Sequence, residues 1–265
     1  MFLAGNPELF ELVWRMVEGR GLVITSSKST IEESFRNPFF PRGRSEFRDL
    51  LLRLSPSDSF PGLHVTHGRY LERPRFFGDT GKRQQIGFFI DIDGRPSVKA
   101  AARVTGAMAD ALESLDVPHY VKFSGARGFH IHVPPGAFPA AVDGVPFSEI
   151  APKVFIQAKH FLVRQAIAKL GRLVFETMIH PKHYYETSQG IQRLPFSIHE
   201  QTGLPSTPLL DEEISSFRPG RILDLDEASL SERVDIARPS GGSADRLLEA
   251  AEEESGRTPP PYLTR

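Results

Sequence analysis

The apolar positions of this chain follow two periods, and the changes between them mark out the elements. Leu9, Phe10, Val13, Trp14 and Val17 recur at helical spacing behind Asn6 and Pro7 and stop before Gly19. This predicts a helix capped by asparagine, with proline at its first position. A second helical stretch falls near 45–54 and a strand near 63–66. From residue 86 the order becomes regular: strand 86–93, helix 97–115 behind Ser97, strand 119–124, a glycine turn and strand 129–133. A helix over about 149–170 follows, with Ser148 as cap and Gly171 as stop, and then a strand 173–179. The helix at 97–115 carries Val98, Ala101, Ala102, Thr105, Met108, Ala109 and Leu112 on one side. The resulting order is βαββαβ, the split βαβ unit of ferredoxin-like and RNA-recognition-motif folds. In that topology the first and third strands are central neighbours.

That placement matters because of what the two strands carry. Alternate side chains of a strand share a face, so Asp91 and Asp93 point one way while Ile90 and Ile92 point into the core. Two carboxylates close together on an apolar strand repel each other unless a cation or basic group lies between them. The neighbouring strand brings His130 and His132, preceded by Ser124-Gly125-Ala126-Arg127-Gly128. Taken alone, that stretch is a hairpin turn whose glycines supply positive φ. It also suits an anion, since backbone N–H groups can approach a phosphate while Ser124 adds a hydroxyl and Arg127 a bidentate cation. As zinc ligands, His130 and His132 would need further partners; the alternative is hydrogen-bonded histidines in a partly buried strand. Acids beside a glycine turn read most economically as a phosphate-and-divalent-cation site, and oxygen ligands favour Mg²⁺ or Mn²⁺ over zinc.

A third block runs Gln192-Arg193-Leu194-Pro195-Phe196-Ser197-Ile198-His199, with Thr202-Gly203 after it. With this block the chain resembles the archaeo-eukaryotic primase superfamily, in particular the catalytic small subunit of archaeal and eukaryotic DNA primases. Three ordered motifs carry the resemblance: Phe-Ile-Asp-Ile-Asp, Ser-Gly-x-Arg-Gly-x-His, and Arg-x-Pro-x-Ser-x-His followed by Thr-Gly. It covers about residues 40–215. It implies an α+β protein with the primase fold, a ferredoxin/RRM-like βαββαβ catalytic sheet and an N-terminal α/β extension. It further implies a DNA primase or primase-polymerase, a template-dependent nucleotidyltransferase in which Asp91 and Asp93 hold catalytic Mg²⁺ or Mn²⁺. Ser124, Arg127 and His130 would contact the nucleotide's triphosphate, and Arg193 and His199 would complete the pocket. The implied partners are a DNA template and nucleoside triphosphates, with a regulatory primase subunit, a helicase or a ligase beyond them.

The chain departs from the family pattern in three places. Ala126 stands where the motif has a first basic residue, no cysteine is present for a zinc module, and the position of the third family carboxylate is not matched, its place as third metal ligand being open between Glu176, His180 and Glu186. Two other readings follow. One is a primer-extending repair polymerase resembling the polymerase domain of bacterial end-joining ligases; the other is a non-catalytic nucleotide- or nucleic-acid-binding module derived from a primase.

Composition adds bounds. The chain has 265 residues, 40% hydrophobic and 25% charged, an ordinary globular balance, and its lack of cysteine excludes disulfides. A net charge of −1 argues against coating nucleic acid by bulk charge. Local patches are still open, and Arg42, Arg44, Arg48, Arg69, Arg73, Arg75, Lys82 and Arg83 read as a solvated basic surface or as a template track. The first residues lack a basic leader and no run reaches the roughly 18 apolar residues of a membrane span, so a cytoplasmic protein with no membrane partner is expected. Residues 1–238 are expected to form the catalytic domain, with its core at about 86–200. Past Gly203 comes a loop-rich passage with a short strand at 222–225 and Asp224 and Asp226 as surface or cap residues. Residues 239–265 read as a disordered tail or linker containing a short acidic helix-like stretch at 247–254.

Overall fold

The computed structural model describes residues 5–25, 39–54, 62–66, 68–70, 83–94, 97–179, 191–238 and 241–260. In chain order they form helix α1 (Pro7–Val17), strand β1 (Leu22–Thr25), helix α2 (Arg44–Arg53) and strands β2 (Gly62–Thr66), β3 (Gly68–Tyr70), β4 (Arg83–Ile86) and β5 (Phe88–Asp93). Helix α3 (Val98–Ser114), β6 (Tyr120–Phe123), β7 (Gly128–Val133), β8 (Ala141–Val142), β9 (Val145–Pro146) and α4 (Phe147–Leu170) come next. The chain continues through β10 (Met178–Ile179), β11 (Ile191–Arg193), β12 (Pro208–Leu209), α5 (Asp211–Ile214), α6 (Glu227–Ile236) and α7 (Asp245–Glu254). Antiparallel sheets beside separate helices make this an α+β protein.

The main sheet has the strand order β10-β5-β7-β6-β12, and every pairing is antiparallel. The strand bearing both aspartates therefore lies directly beside the one bearing both histidines. Phe88, Ile90, Ile92, Val121, Phe123, Phe129, Ile131 and Val133 fill the back of the sheet and are buried with apolar residues of α3 and α4, among them Met108, Leu112, Phe155 and Leu162. The front carries the polar positions. Against it stands a three-stranded sheet of order β1-β2-β11, tied across by the Lys122 ammonium donating to the Arg193 carbonyl at 2.7 Å. Farther along the front, Leu9 and Leu12 of α1 share an apolar cluster with Tyr120, Phe196 and Val234.

The Asn6 cap is present, its side chain accepting from the Leu9 N–H at 3.0 Å, and Ser97 caps α3 in the same way through Ala100. Other expectations need correction. Ser148 does not cap α4, which starts at Phe147 with Pro146 in the cap position, because the β8–β9 hairpin feeds directly into its first turn. The strand expected at 173–179 is only Met178–Ile179, since Gly171–Glu176 winds as a 3₁₀ helix that buries Val174. Pro219–Asp224 likewise winds as a 3₁₀ helix where a strand was expected at 222–225, and Asp226 caps α6 by accepting from the Ser229 N–H. The segment expected to be a disordered tail contains α7, whose Leu247 and Ala251 are buried in the main core. A ladder at i and i+4 gives α7 an apolar stripe, and Glu254 locks its end to Arg164 of α4 at 2.7 Å.

Candidate active site

Strand register assembles the front face. Phe89, Asp91 and Asp93 on β5 stand opposite His132, His130 and Gly128 on β7. On the other side of β7, Tyr120 and Lys122 of β6 stand opposite His132 and His130. Asp91 Oδ1 lies 3.6 Å from His130 Nε2, and the Arg127 Nε–H donates to Asp93 Oδ1 at 3.0 Å. Each acid thus has a basic neighbour from the adjacent strand or its turn. His132 lies farther from the acids, stacked on Tyr120 with ring centroids 4.6 Å apart.

The glycine turn is built tightly. The Ser124 hydroxyl oxygen accepts from the N–H groups of Gly128 at 3.1 Å and Ala126 at 3.3 Å, which leaves its own proton to donate. Gly125 has φ +93°, and a Cβ there would fall 2.8 Å from the Cβ of His199, so only glycine fits between the turn and the loop behind it. That loop is the third motif. The Thr202 hydroxyl donates to the Gly125 carbonyl, and the Ser197 hydroxyl oxygen accepts from the Leu63 N–H at 2.7 Å, anchoring the loop to β2. His199 Nδ1 accepts from the Gln201 N–H at 3.3 Å.

Asp91, Asp93, Ser124, Arg127, His130, Arg193 and His199 all line one cleft of about 390 Å³, together with Thr25 and His64 from the small sheet. All seven residues singled out in the sequence thus share one cavity. Arg193 differs in character from Arg127. Its guanidinium is buried, donating to Glu200 at 2.8 Å and to the Ile198 carbonyl at 2.9 Å, whereas Arg127 is about half exposed. Burial pulls the Arg193 pKa down against the pull of Glu200. Burial pushes the Glu200 carboxyl up, but the charge and hydrogen bond of Arg193 outweigh it and hold the group below the usual carboxylate range. Burial lowers His199, with Arg193 acting the same way. Burial, then the charges of Lys122, His132 and Arg193, hold His130 well below the usual imidazole range, so the ring is neutral.

Two residues of this cluster were missed in the sequence. Lys122 sits at the alternation position that places it on the acid face, but inside an apolar strand it reads as an edge residue. Glu200 directly follows His199, and only the fold turns it toward Arg193. Of the candidates for a third metal ligand, His180 and Glu186 lie outside the described residues, as does the side chain of Glu176.

Among the described residues, no group of three or more His, Asp or Glu side chains gathers into a metal cage. Asp91 and Asp93 offer carboxylate oxygens to the same cleft, a donor set that suits Mg²⁺, which typically takes one or two carboxylates plus substrate phosphates and water. None of the described helices is long and apolar enough to cross a membrane.

No model of a known protein family matches the sequence, and no curated protein matches it. Among solved structures, the chain is similar to the polymerase domain from Mycobacterium tuberculosis ligase D in complex with DNA. Sequence identity is 15%, the alignment covers 91% of this chain and 89% of that one, and the TM-score is 0.47.

Proposed function

We propose that this chain is a template-dependent nucleotidyltransferase, a primase or primase-polymerase of the archaeo-eukaryotic primase superfamily, acting on nucleoside triphosphates and a DNA template in the cytoplasm. The observation that carries the reading is the convergence of the Asp91–Asp93 pair and the Ser124–Arg127–His130 hairpin on one cleft, closed by Arg193 and His199 of the third motif. On this reading the main sheet is the ferredoxin/RRM-like βαββαβ catalytic sheet of that superfamily, and the catalytic domain expected over residues 1–238 extends through the docked α7.

Asp91 and Asp93 would hold Mg²⁺ or Mn²⁺, which when bound activates the attacking 3′-hydroxyl and neutralises the leaving pyrophosphate. The chain's own groups then do the positioning. Arg127 exchanges Asp93 for triphosphate oxygens, a bidentate match for its planar head. Ser124 and the neutral His130 donate hydrogen bonds to the same oxygens. Arg193, clamped by Glu200, supplies a fixed positive wall, and His199 donates from the opposite loop. Holding the triphosphate in line in this way removes much of the entropic barrier to transfer.

With Mn²⁺, single-stranded DNA and labelled nucleotides, the protein should make short products without a primer, and Asp91→Ala with Asp93→Ala should abolish them. Full synthesis by the double variant would overturn the assignment of the acids. Synthesis only on primed or gapped DNA would replace the reading with a repair polymerase, and nucleotide binding without synthesis would replace it with a binding module.

A further inference from the structure

Lys122 is wholly buried in β6, on the face that carries Asp91 and His130. Its Nζ meets three partners: the Arg193 carbonyl at 2.7 Å, His130 Nδ1 at 2.8 Å and Ser206 Oγ at 3.0 Å. A lysine in such a place has to use its donors, because an unmet ammonium proton away from water is costly. The carbonyl oxygen can only accept. The Ser206 hydroxyl donates its own proton to the Phe123 carbonyl at 2.9 Å, so it too accepts from Lys122. Burial pulls the Lys122 pKa well below the ordinary lysine range and the Asp91 carboxylate pulls it back. With the head charged, two of its three protons are thereby assigned and the third faces His130 Nδ1, and the Asp91 carboxylate 3.6 Å from Nε2 independently favours a proton on that nitrogen. An imidazole that accepts at Nδ1 carries its proton on Nε2. That is the nitrogen 3.6 Å from Asp91 Oδ1, in a ring that lines the cleft.

We infer that Lys122 is a positioning residue that locks His130 in the Nε2–H tautomer, so that the ring always presents a hydrogen-bond donor, and not a lone pair, to the anion bound in the cleft. The same ammonium ties β6 and β7 to the end of β11 through the Arg193 carbonyl. The donor is therefore set by the same group that fixes the spacing between the two sheets. His199 is arranged in parallel, its Nδ1 engaged by the Gln201 N–H, so both cleft histidines turn Nε2 outward as a donor. A site built for triphosphate oxygens needs donors only, and a histidine free to change tautomer would spend part of its time offering a lone pair to an anion. Naming that anion a triphosphate rests on the proposed function; the tautomer does not.

Two-bond ¹H–¹⁵N spectra of the folded chain with ¹⁵N-histidine, with His130 assigned by its loss in His130→Gln, should show the proton on Nε2. Lys122→Met should release an Nδ1–H population and weaken binding of inorganic tripolyphosphate about tenfold, the scale of one hydrogen bond to a charged group. Lys122→Arg, also a donor-only head, should restore the tautomer and most of the affinity, a rescue that a merely space-filling role would not give. In a His130→Gln background, Lys122→Met should cost clearly less affinity than in the parent, the remainder being the lost tie to the Arg193 carbonyl. A proton on Nδ1 in the parent chain, or a folded Lys122→Met that keeps both tautomer and affinity, would overturn the inference. If the Met variant does not fold, the parent spectrum and the Arg variant decide. A parent chain with Nε2–H that binds no tripolyphosphate would count against the proposed function while supporting the lock.

Discussion

Asp91 and His130 face each other across β5 and β7 with Asp91 Oδ1 3.6 Å from His130 Nε2, while two residues on, Asp93 takes the Arg127 guanidinium at 3.0 Å. The repulsion that two carboxylates on one strand would suffer is thus relieved at Asp93 by the Arg127 guanidinium, while Asp91 faces a neutral ring from the same hairpin. Under the proposed function the arrangement is also a route of exchange. A bound divalent cation would take over the neutralisation of Asp93, and the arginine would then be available to the phosphates that accompany it.

Arg127→Ala should therefore separate binding from folding. Its ion pair is about half exposed and is worth less than about 1 kcal/mol to stability. The triphosphate contact it supplies under the proposed function is bidentate, so the apparent nucleotide KM should rise about tenfold or more. Steady-state kinetics beside a urea titration measure both, and an unchanged KM would place the triphosphate elsewhere.

Much of this site was legible because strand alternation and antiparallel register are fixed by local rules. Phe-Ile-Asp-Ile-Asp could put both acids on one face only, and a glycine turn between two strands could place Arg127 only beside them. What escaped was set by tertiary contacts. Lys122 looks ordinary in Tyr-Val-Lys-Phe until a second sheet covers it and supplies the Arg193 carbonyl. Glu200 looks like a loop residue until Arg193 is buried beside it. Gly171–Glu176 carries a strand-like apolar pattern, but after α4 it winds as a 3₁₀ helix that turns Val174 into the core. Residues 245–254 are acidic enough to read as solvated, yet Leu247 and Ala251 on one side, with Ala244 just before the helix, were sufficient to dock them on α4.

Glu200→Gln should be costly although it preserves shape. Both partners of the Arg193–Glu200 pair are more than nine-tenths buried, and the variant leaves a guanidinium inside with no counter-charge. A loss of about 3 kcal/mol is expected by chemical denaturation. Because the folded carboxyl is held below its reference of 4.5, the stabilisation is complete above that pH and is lost as pH falls through the lowered folded value. The acid arm of the stability profile should flatten in the variant; an identical profile would show that the pair contributes nothing.

Leu247→Ala tests whether α7 belongs to the core. The side chain is fully buried, and emptying its site should cost about 3 kcal/mol. Guanidinium unfolding of the full chain reads this directly. A cost under about 0.5 kcal/mol, the level of surface substitutions, would mean that α7 does not dock in solution.

His64 gives a pH dependence in the neutral range. Burial, reinforced by the charges of Arg193, Lys122 and His199, holds its folded pKa well below 6.5, so the unfolded chain takes up a proton that the folded one refuses. The contribution to stability is therefore complete above 6.5 and is lost as pH falls toward the depressed folded value. Between about pH 7.5 and about pH 5.5 this one group should remove up to about 1.4 kcal/mol, the limit for a ring that takes up no proton in the fold. Burial and then Lys122 lower His130 in the same direction, so the parent chain should lose more than that single share. His64→Gln changes stability at neutral pH as well, because it alters a buried cleft residue, so the informative quantity is the difference between the two pH values rather than either alone. Urea midpoints at both pH values should show the variant losing less than the parent, by up to about 1.4 kcal/mol. Equal losses in parent and variant would mean that His64 is as readily protonated in the folded chain as in the unfolded one, and the cleft would then have to be open to water at the base of the small sheet.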